Sequence, residues 1–205
     1  MFKMNLKDAF HFTLVLLAAS WGLFANAAAR PNIIFILSDD HAVRAVSAYG
    51  DSLVATPNID RIAAGGIRFD RAYVGNAICG PSRATLLTGL HSHANGFYSN
   101  EWSGPFNGEQ QTLPGLLHGS GYQTAVIGKW HLYSDPVAFD HWEVIDNVME
   151  QGTYYNPSFR SPAGIEETTG YVADLITDKS IAWLEQAKRE GRPFFLLYNH
   201  KTPHR

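Results

Sequence analysis

Residues 79–89 combine the residue types of a nucleophilic site, and read Cys-Gly-Pro-Ser-Arg-Ala-Thr-Leu-Leu-Thr-Gly. Proline is favoured in the first turn of a helix, and glycine commonly follows the last turn. Pro81 and Gly89 therefore predict a short helix, with Cys79 where a loop enters its N-terminus. Such an end favours an anion, and Arg83 adds a full positive charge one turn away. This pattern predicts a nucleophile beside an anionic oxygen.

The alternative for Cys79, the only cysteine of the chain, is an ordinary buried or redox-active thiol. A thiol at a helix N-terminus and close to an arginine is expected to have a lowered pKa and to be reactive.

Two adjacent carboxylates follow the first apolar run of the chain. Residues 32–37 read Asn-Ile-Ile-Phe-Ile-Leu, which is typical of a strand buried on both faces of a parallel sheet, and Asp39 and Asp40 follow it after one serine. Ligands gather beyond the carboxyl ends of such strands, and hard oxygen ligands suit Ca²⁺ or Mg²⁺. The alternative is a solvated acidic turn.

Polar side chains also follow two later predicted strands. The strand at 123–127 is followed by Lys129 and His131, which point the same way if the segment is extended, so both can reach one anion. The strand at 194–198 is followed by a polar stretch that ends in histidine; its candidate residues are His200, Lys201 and His204.

These segments resemble the sulfatase family. Residues 79–89 resemble its signature, Cys-x-Pro-Ser-Arg followed by Leu-Thr-Gly; residues 121–131 resemble its second signature, and residues 193–204 its Pro-Phe-Phe-Leu…Pro-His segment. The resemblance implies an α/β fold, an alkaline-phosphatase-like sandwich with a mostly parallel central sheet. It also implies hydrolysis of a sulfate ester.

The resemblance further implies a role for each candidate residue. Cys79 is expected to become formylglycine, through a formylglycine-generating or an anaerobic sulfatase-maturating enzyme. Ca²⁺, or alternatively Mg²⁺, is expected on Asp39, Asp40 and residue 79. Arg83 and Lys129 would stabilise formylglycine and the sulfate oxygens. His131 would act as a base. His204 would bind the sulfate ester and protonate the leaving oxygen. His200 and Lys201 are open candidates for substrate contacts.

The substrate implied by the resemblance is a sulfated carbohydrate. Residues 88–98 resemble heparan N-sulfatase, whereas residues 139–143 and 152–157 resemble bacterial glucosamine-6-sulfatases, and both point to sulfated glucosamine of a glycosaminoglycan. Two alternatives stay open: a phosphate or phosphonate ester hydrolase of the same superfamily, and a truncated or inactive homologue that binds sulfated glycan.

The organisation of the chain indicates export. Lys3 and Lys7 precede an apolar run at 10–19 and an Ala-Asn-Ala triplet at 25–27, which predicts a signal peptide at 1–29. We therefore expect a secreted or periplasmic protein without a stable membrane anchor. The net charge of −3, without a basic block, argues against a nucleic-acid partner.

Residues 30–205 are expected to form the N-terminal part of the sulfatase catalytic domain, truncated before its second half. Further metal ligands and a second sulfate-binding lysine are expected after residue 205, so residues 30–205 alone are expected to be inactive. Within this part, the pattern predicts helices at 57–64, 113–117 and 168–189, a short strand at 67–74, and an irregular excursion at 140–159.

Overall fold

The strands whose ends carry the candidate residues are neighbours in one six-stranded sheet. The computed structural model describes residues 30–50, 53–101, 104–146 and 152–204. The strand order is β1-β6-β2-β3-β4-β5. The strands are β1 (Ile33–Leu37), β2 (Gln123–Gly128), β3 (His141–Ile145), β4 (Ser158–Ser161), β5 (Gly164–Glu167) and β6 (Phe194–Asn199).

The sheet is mostly parallel, as predicted. Strands β1, β6, β2 and β3 run parallel to one another, whereas β4 and β5 are antiparallel. In the register, Asn199 at the end of β6 pairs with Leu37 of β1 and with Gly128 of β2. The carboxyl ends of β1, β6 and β2 therefore finish level at one edge.

Helices cover both faces of the sheet and create two cores. One core joins β2, β3 and β6 to the second helix; the other joins the opposite face to the last helix. The helices are α1 (Pro57–Gly65), α2 (Cys79–Thr88), α3 (Ser92–Asn95), α4 (Leu113–Gly119) and α5 (Val172–Glu190), with 3-10 turns at Val43–Ala45 and Ser47–Tyr49.

The predicted helices are confirmed in type and approximate place, although the last one begins at Val172 and not at residue 168. Helix α2 begins at Cys79 and ends at Thr88, and Gly89 follows in the left-handed conformation with φ of 69°. Helix α5 buries Val172, Ile176 and Trp183 against the sheet, which confirms that its apolar face serves packing.

The prediction that β1 is buried on both faces was wrong. Ile34 and Ile36 are 47% and 54% exposed, whereas the side chains that alternate with them are half-buried. Strand β1 lies at the edge of the sheet, and among the described residues only β6 pairs with it. An apolar run therefore does not separate an edge strand from a central one.

Two further predictions were wrong. Residues 67–74 form no strand and are exposed, because they run over the surface towards α2. Residues 140–159 are not an irregular excursion throughout, since β3 extends the parallel sheet and buries Trp142 and Val144. The alternation of these two side chains with polar ones is the strand signal that the aromatic and turn residues obscured.

The predicted signal peptide lies at residues 1–29, outside the described residues. In the part of the chain that the structure describes, no helix is long and apolar enough to cross a membrane.

A charged network ties α5 to the sheet away from the candidate residues. Lys179 Nζ donates to Glu143 Oε2 and to Glu166 Oε2, at 2.6 Å each. The His141 ring lies 3.1 Å from Glu143 Oε1. Hydrogen bonds from His141 and then Lys179 outweigh burial and lower the pKa of Glu143 to about 2.

We expect Glu143→Gln to lower the free energy of unfolding by about 1–2 kcal/mol at pH 7. A carboxyl with a lowered folded-state pKa stabilises the fold above its unfolded pKa and loses this contribution as the pH falls towards about 2. The difference between variant and parent should therefore shrink between pH 5 and about pH 2. Urea unfolding across this range measures it, with Glu185→Gln, an exposed residue of α5, as control. A constant difference would contradict the assignment.

Candidate active site

Backbone hydrogen bonds lock the three strand ends together. The Asp39 N–H donates to Thr202 O at 3.1 Å, and the Lys129 N–H donates to Asn199 O at 2.9 Å. Gly128 makes this approach possible: its φ is +108°, and a Cβ there would lie 1.9 Å from Asn199 O. The segments after β1, β2 and β6 therefore face one another at fixed spacing.

The Asp39 carboxylate is the centre of the site. It is 5% exposed, its Oδ2 accepts a hydrogen bond from Lys129 Nζ, and Arg83 Nη2 lies 3.5 Å from its Oδ1. Burial acts to raise the pKa of Asp39, but the Arg83 and Lys129 cations outweigh it and hold this pKa below its ordinary value. The carboxylate is therefore ionised, although it is buried.

Arg83 reaches the site from the interior of α2. Its Nη1 donates to Lys129 O at 2.8 Å, and Asn199 Nδ2 donates to the same oxygen at 3.0 Å. Since Arg83 is buried and fixed by these contacts, its charge is held at one position. A fixed cation needs no reorganisation to stabilise an anion.

Cys79 opens α2 and faces the same cations. Lys129 Nζ lies 3.6 Å from Cys79 Sγ, and the following Gly80 N–H donates to Asn100 Oδ1 at 2.9 Å. Burial is the largest influence on the thiol and raises its pKa; Asp39 adds to this effect, and the two outweigh Lys129 and Arg83. The expectation of a lowered pKa was wrong, because the sequence reveals neither the burial of the thiol nor the carboxylate beside the sulfur.

His131 lies two residues after Lys129, and its ring is buried at the same edge. Burial, followed by the nearby Lys129 and Arg83 cations, lowers the pKa of His131 to about 4. The imidazole is therefore neutral at pH 7. Its Nδ1 is buried without a hydrogen-bond partner among the described residues, which leaves a nitrogen available for a proton or a ligand.

His204 closes the site from the segment after β6. Its ring, Asp39 and Cys79 offer three ligand atoms within 4.8 Å of one another. His204 Nε2 also lies 3.3 Å from Asp40 Oδ2. Asp40 stands in the left-handed conformation, with φ of 56°, and its side chain is 62% exposed, so its carboxylate lies at the rim.

The two open candidates on the same segment differ in their surroundings. The His200 ring packs edge-on against Tyr198, with centroids 4.4 Å apart. The Lys201 side chain is almost fully buried, and its Nζ lies 4.4 Å from the centroid of the Tyr154 ring. The structure thus brings every predicted site residue to one edge of the sheet, with Asp39, Cys79, Arg83 and Lys129 in direct contact and His200 turned towards a tyrosine.

Several residues at this edge have a buried polar atom without a hydrogen-bond partner among the described residues. Among the described residues, the buried atoms without a hydrogen-bond partner include Arg83 Nε, His131 Nδ1, Asn199 Oδ1 and His200 Nδ1. Buried polar groups are nearly always satisfied in folded proteins. Four of the eight such atoms in the described part of the chain thus belong to residues of this edge, where a polar ligand would give them partners.

Sequence reasoning missed two residues that position this site. Asn100 accepts from the N–H that follows Cys79, and Asn199 fixes the carbonyl of Lys129. Asn199 had a signal, since it is the last residue of a strand whose carboxyl end was expected to face the site. Asn100 lies in a loop and had no signal.

We expect Gly128→Ala to destabilise the protein by about 3 kcal/mol or more, because the new Cβ meets backbone and the conformation is strained. Gly119→Ala is the matched control, since nothing lies within 4 Å of a Cβ there. Thermal unfolding of both variants measures the effect. Equal stability of the two would show that β2 and β6 do not approach as described.

The amino-acid sequence matches one family of known proteins. A model of the family named Sulfatase matches residues 31–205. An N-acetylglucosamine-6-O-sulfatase of Bacteroides thetaiotaomicron is 53% identical over 86% of this chain and 31% of its own length. An N-acetylgalactosamine-6-sulfatase of Rattus norvegicus is 38% identical over 93% of this chain and 43% of its own length.

Solved structures agree with the sequence comparison. A structure described as a complex with its substrate D-glucosamine-2-N,6-O-disulfate superposes with a TM-score of 0.82 and 53% identity, over 86% of this chain and 35% of that one. The prediction of an alkaline-phosphatase-like sandwich is thereby confirmed. The chain spans about a third to two fifths of the length of these relatives. Its matched signatures, its sheet and its family match all lead to one conclusion: the chain belongs to the sulfatase family.

Proposed function

We propose that the full-length protein hydrolyses a sulfate ester of a carbohydrate, with residue 79 as the nucleophile. The observation that carries this proposal is the fixed pair of cations at Cys79. Lys129 Nζ lies 3.6 Å from its sulfur, and Arg83 is held beside it through Asp39. Sulfate esters are anionic, and their hydrolysis requires positive charge at positions that do not move.

Residue 79 would act after oxidation to formylglycine by a maturation enzyme. A hydrated aldehyde supplies a hydroxyl at this position, and the raised pKa of the Cys79 thiol supports a modified rather than a free-thiol nucleophile. A protonated thiol is a poor nucleophile at neutral pH. The modification also replaces a soft sulfur by oxygen, which is the ligand type that calcium prefers.

The donor set fits a divalent cation, and we propose Ca²⁺. Asp39, residue 79 and His204 hold donor atoms within 4.8 Å of one another, and Asp40 would supply a further carboxylate oxygen from the rim, where its Oδ2 lies 3.3 Å from His204 Nε2. When bound, the ion would polarise the sulfate and reduce the charge barrier to attack. Mg²⁺ is the weaker candidate, since it demands nearly ideal octahedral geometry.

The chain's own side chains would divide the remaining work. Arg83 and Lys129 would hold the sulfate oxygens and the aldehyde hydrate. His131, neutral at pH 7 because burial lowers its pKa to about 4, would accept a proton from the hydrate. His204, 3.3 Å from Asp40, would contact the ester and protonate the leaving alcohol.

For the substrate we propose a 6-O-sulfated glucosamine of a glycosaminoglycan. Support comes from the 53% identity to a protein named N-acetylglucosamine-6-O-sulfatase and from the disulfated glucosamine in the related complex. We further propose that the protein is exported, to the periplasm or beyond, after removal of residues 1–29.

The experiment that tests this function is peptide mass spectrometry of the full-length protein, expressed with and without a maturation enzyme. We expect an aldehyde at residue 79 that reacts with hydrazides, and turnover of glucosamine-6-O-sulfate only when the aldehyde is present. Cys79→Ala should lower turnover by about a thousandfold or more while the fold is kept, because the new residue is small.

The protein expressed without the maturation enzyme is the matched control, because it keeps every other atom of the site. Full activity with an unmodified thiol would contradict the role of residue 79. A modified protein that binds sulfated glucosamine without releasing sulfate would support a glycan-binding homologue instead.

A further inference from the structure

Among the described residues, the buried Lys201 ammonium has no anionic partner. Its side chain is 2% exposed, yet no described residue forms an ion pair or a hydrogen bond with its ammonium. Lysine is almost never fully buried unless it is paired. The other two cations of the site, Arg83 and Lys129, both meet Asp39. Lys201 therefore differs from the other two cations, because no described carboxylate neutralises it.

Tyr154 fixes the position of this charge. Lys201 Nζ lies 4.4 Å from the centroid of the Tyr154 ring, which is a cation–π contact. Tyr154 in turn stacks on Tyr171 at 6.3 Å, and its carbonyl accepts from the Val172 N–H at 2.8 Å. The start of helix α5 thus anchors the ring that supports the ammonium.

Lys201 also belongs electrostatically to the candidate active site. The carbonyl of the next residue, Thr202, accepts from the Asp39 N–H. Burial and the Lys129 ammonium lower the pKa of Lys201, whereas Asp39 and Cys79 act to raise it. Lys129, Asp39 and Cys79 therefore all affect the charge of Lys201, although no described residue, Asp39 included, forms an ion pair with its ammonium.

Aromatic rings connect Lys201 with the surface. Tyr155 is 68% exposed and contacts Tyr171 at 5.3 Å, and Tyr171 contacts Tyr154. Tyrosine rings offer an apolar face with a polar tip, a combination suited to a sugar. A sugar that packs on these rings would lie on the same aromatic cluster that contacts the Lys201 ammonium.

We propose that Lys201, supported by Tyr154, binds a second anionic substituent of the same sugar, such as an N-sulfate, and so favours disulfated over monosulfated glucosamine. This inference rests on the proposed sulfatase function and deepens it. The first sulfate remains with Arg83 and Lys129, and the second takes the buried cation that has no partner among the described residues.

The test compares kcat and KM of the full-length, modified enzyme on glucosamine-6-O-sulfate and on glucosamine N,6-O-disulfate. Lys201→Met keeps the length of the side chain and removes the charge. We expect the ratio of kcat/KM for the disulfate to that for the monosulfate to fall about tenfold, mainly through KM for the disulfate. Lys188→Met, an exposed lysine of α5, controls for net charge and should leave the ratio unchanged.

A second pair of variants guards against misfolding of Lys201→Met. Tyr154→Leu removes the ring face and should lower the ratio, whereas Tyr154→Phe keeps the ring and should preserve it within about twofold. A ratio that stays constant in both Lys201→Met and Tyr154→Leu overturns the proposal, as does an equal loss on both substrates. A parent enzyme that hydrolyses neither sugar would instead refute the proposed function.

Discussion

The buried ion pairs of Asp39 organise the site. One carboxylate at the end of β1 holds Lys129 from the end of β2 and Arg83 from the interior of α2. Buried charges are tolerated only when they are paired, and removal of one partner from such a pair typically costs about 3–5 kcal/mol. The ion pairs with Asp39 therefore have two effects. They neutralise the buried charges, and they hold Arg83 and Lys129 close to Cys79.

The sheet explains why these groups meet. Parallel strands β1, β6 and β2 end level with one another, and each delivers polar residues at the same edge. Helix α2 brings its first residue, Cys79, to this edge. Helix α5 packs on the opposite face and supports Tyr154 and, through it, Lys201. Helix α2 thus supplies a cation directly, through Arg83, whereas α5 affects a cation only through the Tyr154 ring that contacts Lys201.

Local sequence signals predicted which elements carry the site residues, but not the pKa values or the exposure of those residues. Pro81 and Gly89 predicted the helix at Cys79, and polar residues after apolar runs predicted the convergence of three strand ends. The pKa of Cys79 was predicted in the wrong direction, because it depends first on burial of the thiol and then on the carboxylate of Asp39, which is 40 residues away in the chain. The exposure of Ile34 was likewise unpredictable, since it follows from the edge position of β1. Both properties depend on which elements lie next to each other in the fold, and this order is not encoded in the local sequence.

The most direct test of the central role of Asp39 is calorimetric titration of Ca²⁺ into the full-length protein and its Asp39→Asn variant. Asparagine keeps the shape of the side chain and removes the charge. Asp60→Asn, which changes a carboxylate bonded to Ser47 and Thr56 in another part of the fold, is the matched control. We predict that Asp39→Asn loses most of its Ca²⁺ affinity and its turnover together, whereas the control keeps both. Unchanged Ca²⁺ binding and turnover in Asp39→Asn would contradict the account.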